Sequence, residues 1–143
     1  MKNHKILLVD DDLNILGVIA SALEHRGYQV TMASGGEAGI EALRVEEFDL
    51  VITDLNMPGT DGIAIVKKAK EPNRDRGVMI LTGSGAPTLV AKVLRVGADD
   101  CMLKPCKLTE FWNRVDDCLG RSEVKAMDAR KQGHVWGQLD ISM

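Results

Sequence analysis

Five short apolar runs, each followed by a stretch of helical periodicity, constrain this chain more than any other feature. The runs are Ile6 to Val9, Tyr28 to Met32, Leu50 to Ile52, Val78 to Leu81 and Cys101 to Leu103. Runs of about four to eight apolar and β-branched residues bounded by turn signals read as buried strands. Between the first two, Leu13, Leu16, Ile19, Ala20 and Leu23 recur at helical spacing, and Gly27 stops them. Ser34-Gly35-Gly36-Glu37 has the Ser-x-x-Glu form of a capping box and predicts a second helix over residues 35–45. Asp61 caps a third, with Ile63, Ile65, Val66 and Ala69 as its buried face, and Glu71-Pro72-Asn73 closes it. Pro87 fits the first turn of a fourth, which Gly97 ends, and a fifth covers residues 107–119.

Strands alternating with helices predict a parallel sheet covered on both faces. The chain has 143 residues, enough for one domain with a real core. At that size the expected fold is α/β: a five-stranded parallel sheet of order 2-1-3-4-5, doubly wound and flavodoxin-like, in three α/β/α layers. The topological switch then falls between strands 1 and 3.

Both of those strands end in carboxylates. The stretch Phe48 to Gly59 holds an apolar run that stops abruptly at Asp54, before Pro58 and Gly59 force a turn. The first run ends at Asp10, Asp11 and Asp12. Open parallel sheets bind ligands at the carboxyl ends of such strands. Carboxylates held together repel, so Asp10, Asp11 and Asp54 call for a cation. A hard divalent ion suits oxygen ligands, and Mg²⁺ takes one or two carboxylates plus phosphate oxygens. Asn56, two residues past Asp54, adds its backbone carbonyl. Asp12 reads instead as the cap of the first helix.

The two remaining core strands end in polar residues, Thr82 and Lys104. A hydroxyl and a lysine beside a metal-bound carboxylate make a site for a phosphoryl group on Asp54. Carboxylates form such acyl phosphates, and metal and lysine neutralise the charge on the transferring group.

Net charge is −3, which gives no electrostatic reason to expect direct nucleic-acid binding. No run approaches the ~18 apolar residues of a membrane span, so no membrane insertion is expected. The N-terminus has no signal-peptide core, and three cysteines without framework spacing fit a reducing cytoplasm.

The sequence resembles the receiver domains of two-component response regulators. The matching stretches are Lys5 to Asp12, Asp49 to Asp54 with Met57-Pro58-Gly59-Thr60-Asp61-Gly62, Leu81-Thr82-Gly83, Gly97-Ala98-Asp99-Asp100, and Lys104-Pro105. The resemblance covers residues 4–120. It implies that Asp54 accepts phosphate from a phosphohistidine on a sensor histidine kinase or histidine phosphotransfer protein. Asp10 and Asp11 would hold Mg²⁺, Thr82 would be the switch hydroxyl, and Lys104 would pair with the phosphoryl oxygens. The Lys104-Pro105 bond is expected to be cis. Asn56 and Ser84 would modulate dephosphorylation. A downstream protein target and a phosphorylation-dependent dimer are the expected outlets. No enzymatic activity is expected beyond the domain's own phosphorylation and dephosphorylation.

Three positions depart from the pattern. Cys101 stands where the family has its switch aromatic, Cys106 follows Lys-Pro where a Phe is usual, and Lys107 replaces an acidic cap. The two cysteines read as small strand residues, with a reactive or metal-binding pair as the alternative. Residues 121–143 are expected as a short helical extension, Ser122 to Lys131, and a loose tail in which Trp136 offers a docking anchor.

The leading expectation is a stand-alone phosphoacceptor switch. The alternative is the receiver part of a longer regulator with its output beyond Met143. An aspartyl-phosphate hydrolase of the haloacid dehalogenase type wants a second Asp where this chain has Asn56. A flavin-binding flavodoxin-like protein wants a phosphate loop where this chain has three aspartates.

Overall fold

The structure is a computed structural model and describes residues 3–83 and 86–131, with residues 121–131 as backbone alone. The strands are β1 (Lys5–Asp10), β2 (Gln29–Ser34), β3 (Leu50–Thr53), β4 (Gly77–Thr82) and β5 (Asp100–Leu103). The helices are α1 (Leu13–His25), α2 (Gly36–Val45), α3 (Gly62–Lys70), α4 (Pro87–Val96) and α5 (Leu108–Lys131). All strand pairs are parallel, in the order β2-β1-β3-β4-β5. This is the doubly wound flavodoxin-like fold that the alternation predicts.

The strand period of two divides the core into layers. Ile6, Leu8, Leu50, Ile52, Met79 and Leu81 point to one face, where α1 supplies Leu16, Ala20 and Leu23 and α5 supplies Phe111, Val115 and Leu119. Leu7, Val9, Val51, Val78 and Ile80 point to the other, against Ile65, Val66 and Ala69 of α3 and Val93 of α4. The central strands β3 and β4 are buried along their whole length, whereas β2 and β5 are partly open to solvent. Asp10, Asp54 and Thr82 therefore leave the sheet from its most constrained part.

Asp12 caps α1, its carboxylate accepting from the amides of Asn14 and Ile15 at 2.9 and 3.3 Å, a contact worth about 1 kcal/mol. Asp61 caps α3 through the Ala64 amide. The Ser34 capping box does not form. Ser34 instead closes the β1–β2 ladder opposite Asp10, and Gly35 at φ 105° starts α2 with no side-chain cap. The ladder thus extends two residues past the predicted strand end, because pairing with β1 continues to its last residue.

The helical extension expected over Ser122 to Lys131 continues the fifth helix through Gly120 without a break. A glycine inside a helix costs only about 1 kcal/mol, and Glu123, Lys125, Ala126 and Met127 beyond it are good helix formers. Ser84 and Trp136 lie outside the described residues.

Candidate functional site

Strand register builds the site. Val9 pairs with Thr53, and the amide of Asp54 donates to Val9 O at 2.9 Å, so Asp10 and Asp54 leave neighbouring central strands side by side. Each carboxylate then has one oxygen pinned by backbone. Asp12 N donates to Asp10 Oδ1 at 2.9 Å, and Leu55 N donates to Asp54 Oδ1 at 2.7 Å. Both Oδ2 atoms face Lys104, whose Nζ lies 2.9 Å from Asp10 and 3.5 Å from Asp54. Asp11 completes the cluster from the solvent side: one ligand oxygen from each of Asp10, Asp11 and Asp54 falls within 4.8 Å of the others.

Lys104 arrives from the far side of the sheet. Its amide donates to Thr82 O at 2.8 Å, which extends the β4–β5 ladder by one step, and the Lys104-Pro105 bond is cis. Thr82 itself is fully buried at the end of β4. In the loop after Asp54, Leu55 and Met57 are buried, which turns Asn56 between them to solvent.

Burial alone would lower the Lys104 pKa. The hydrogen bond from its ammonium to Asp10 and the charges of Asp54 and Asp10 outweigh it and raise the pKa above its ordinary value. The ammonium thus stays charged between two carboxylates. The donor set is all oxygen, anionic and open on the Asp11 side, which fits a hard divalent cation.

Cys101 and Cys106 pack into opposite core layers, Cys101 toward α3 and α4 and Cys106 toward α1 and α5. The sheet separates the thiols and leaves the pair without a common site. Burial raises both pKa values, with Asp100 adding to it at Cys101 and Glu110 at Cys106.

Sequence reading missed the other side of β5. Asp100 Oδ1 accepts from the Cys101 amide at 2.8 Å and from Arg114 of α5 at 2.6 Å. The signal was present in the Asp99-Asp100 doublet, but a carboxylate at a strand's start does not reveal its partner. It also missed that Lys104 sits closer to Asp10 than to Asp54, a choice made by rotamer and not by motif.

The response regulator receiver domain profile matches residues 6–116. The alkaline phosphatase synthesis transcriptional regulatory protein PhoP of Bacillus subtilis is 34% identical over 97% of this chain and 58% of its own length. The chain spans less than two thirds of the length of this and other curated relatives it resembles. A CheY-like response regulator receiver domain protein from Methanospirillum hungatei superposes with a TM-score of 0.82 at 27% identity, over 87% of this chain and 99% of that one. The response regulator protein TrrA from Thermotoga maritima, solved in complex with Mg(2+)-BeF, gives a TM-score of 0.72 at 26% identity, over 80% and 98% of the two chains.

Proposed function

Because the chain belongs to the response regulator receiver domain family, we propose that Asp54 is its phosphoacceptor and that Asp10, Asp11, Asp54 and the Asn56 carbonyl hold Mg²⁺. The observation that carries this is the meeting of Asp10, Asp54 and Lys104 at the ends of three strands. Mg²⁺, when bound, would supply positive charge against the phosphoryl oxygens; a Mg(2+)-BeF complex of the similar Thermotoga protein supports the reading.

Asp54 Oδ1 is held by the Leu55 amide, which leaves Oδ2 as the attacking atom. The O–P bond forms as the P–N bond of a phosphohistidine breaks, and the electron pair stays on the imidazole nitrogen. The Lys104 ammonium, 3.5 Å from Oδ2, meets the oxygens of the arriving group. The Thr82 hydroxyl follows them and passes the change to the loop beyond β4. Asn56 and Ser84 set the lifetime of the product.

The donor is a sensor histidine kinase or histidine phosphotransfer protein in the cytoplasm, and the outlet is a protein contact. No helix among the described residues is long and apolar enough to cross a membrane. A second reading, the receiver part of a longer regulator with its output beyond Met143, is favoured by the greater length of the curated relatives. The natural reading frame decides between them.

The test is labelling with acetyl phosphate in Mg²⁺. The wild type should incorporate phosphate, and Asp54→Asn should incorporate none. Equal labelling of Asp54→Asn overturns the assignment.

A further inference from the structure

The loop that carries Asn56 is held at both limbs by glycines. On the near limb, the Gly62 amide donates to Leu55 O at 2.9 Å. A Cβ on Gly62 would stand 2.5 Å from Asp54 O and 2.7 Å from Leu55 Cα. On the far limb the contact comes from another element. Gly36, at the start of α2, lies so close to Thr60 that a Cβ there would overlap the Thr60 carbonyl oxygen and stand 2.6 Å from Thr60 Cβ. Real Cβ atoms are not found at such distances, so any side chain at Gly36 must push Thr60 away. Interiors transmit such displacements because they are close-packed.

The segment between the two limbs cannot absorb the push evenly. Leu55 and Met57 are anchored in the core layer under α2 and α3, at 2% and 7% exposure. The Asp54 side is pinned by the Leu55 amide and by the Thr53 hydroxyl, which donates to Asp54 O at 2.9 Å. Asn56, the exposed residue between the anchors, and the Pro58–Thr60 limb are left to move.

We infer that Gly36 is a positioning residue for the cation site: by letting the start of α2 abut Thr60, it fixes the loop that presents the Asn56 carbonyl. The inference rests on the reading of the acid cluster as a Mg²⁺ site. Gly36 touches neither the ion nor the phosphoryl group. Its neighbour Gly35 bends the chain, at φ 105°, so the two adjacent glycines have separate duties.

The test is Mg²⁺ affinity, read by titrating the amide spectrum of the full chain with MgCl₂, which reports the integrity of the fold at the same time. Wild type, Gly36→Ala, Thr60→Gly, the double variant and Gly17→Ala are compared. A Cβ at Gly17 would meet nothing within 4 Å, so this position serves as the helix-glycine control. Gly36→Ala should bind Mg²⁺ about tenfold more weakly, the low end for a displaced support of a metal ligand. Gly17→Ala should match wild type, and the double variant should stay at least as weak as Gly36→Ala, because the nearest atom to the added Cβ is the main-chain carbonyl oxygen of residue 60, which Thr60→Gly leaves in place. Wild-type affinity in Gly36→Ala overturns the inference, as does an equal loss in Gly17→Ala or a double variant that binds as wild type does. Should Gly36→Ala not fold, Thr60→Gly decides alone. Freeing that limb should weaken Mg²⁺ about threefold, and unchanged affinity overturns the inference. A wild type that binds no Mg²⁺ overturns the reading of the acid cluster itself, and this inference with it.

Discussion

The crevice over β1 and β3 and the edge at β5 are built on opposite terms. In the crevice, Asp10, Asp54 and Thr82 leave buried strands, Lys104 reaches in from the end of β5, and backbone amides hold one oxygen of Asp10 and one of Asp54. At the edge, only Met102 of β5 is buried, Leu103 is 52% exposed, and among the described residues one ion pair, Arg114 with Asp100, ties the strand to α5. Main-chain register compels the first arrangement. Side-chain choice makes the second, and there the chain carries Cys101 where the receiver family has a ring. The chemistry is thus specified by the fold and the outlet by the surface.

Removing one partner of the ion pair in each region sharpens the contrast. Lys104→Ala leaves the buried Asp10 carboxylate facing Asp54 with no ammonium between them. In EDTA the variant should lose about 3 kcal/mol of stability, as for the breaking of a buried pair. Mg²⁺ should restore more of that loss than it adds to the wild type, since a ligand of the folded state stabilises it by mass action. Urea unfolding with and without Mg²⁺ measures both, and an equal deficit in the two conditions would break the comparison on the crevice side.

Asp100→Ala acts at the edge and should cost less, about 1 kcal/mol. The Arg114 side chain is 37% exposed, and such pairs are screened. The Cys101 amide loses its side-chain acceptor as well. Raising salt should narrow the gap to wild type, while acetyl phosphate labelling at Asp54 stays unchanged. A loss as large as that of Lys104→Ala would show that the edge is built as tightly as the crevice.

The same division decides what the sequence revealed. The strand order, the convergence of Asp10, Asp11 and Asp54, the caps at Asp12 and Asp61 and the helix start at Pro87 are all readable, because each follows from periodicity or from a residue type that its backbone position demands. Ser34 misled, because a capping box and a strand end share the same residue types, and pairing with β1 prevailed. The extension past Gly120 was readable but its continuity with α5 was not, because the cost of Gly120 is small beside the helix propensity of the residues after it. The Arg114–Asp100 pair, the lean of Lys104 toward Asp10 and the abutment of Gly36 on Thr60 depend on distances between separate elements. No local pattern encodes them.

On these terms, phosphorylation at Asp54 should leave the site through β4 and α4 and not through β5. A two-state element must make different contacts in its two states to transmit anything. On the proposed reading, Thr82, at the end of β4, would gain such a contact with an arriving phosphoryl group, and it leads directly into the loop before α4. Cys101 is too short to move as a ring would, and its strand is fastened to α5 by Arg114. The deciding measurement is the set of amide chemical shifts in Mg²⁺, before and after beryllofluoride. The largest changes are expected at Thr82, Gly83 and residues 86–97, with smaller ones along residues 107–119. Changes on α5 as large as those on α4 would contradict this and require a route through β5.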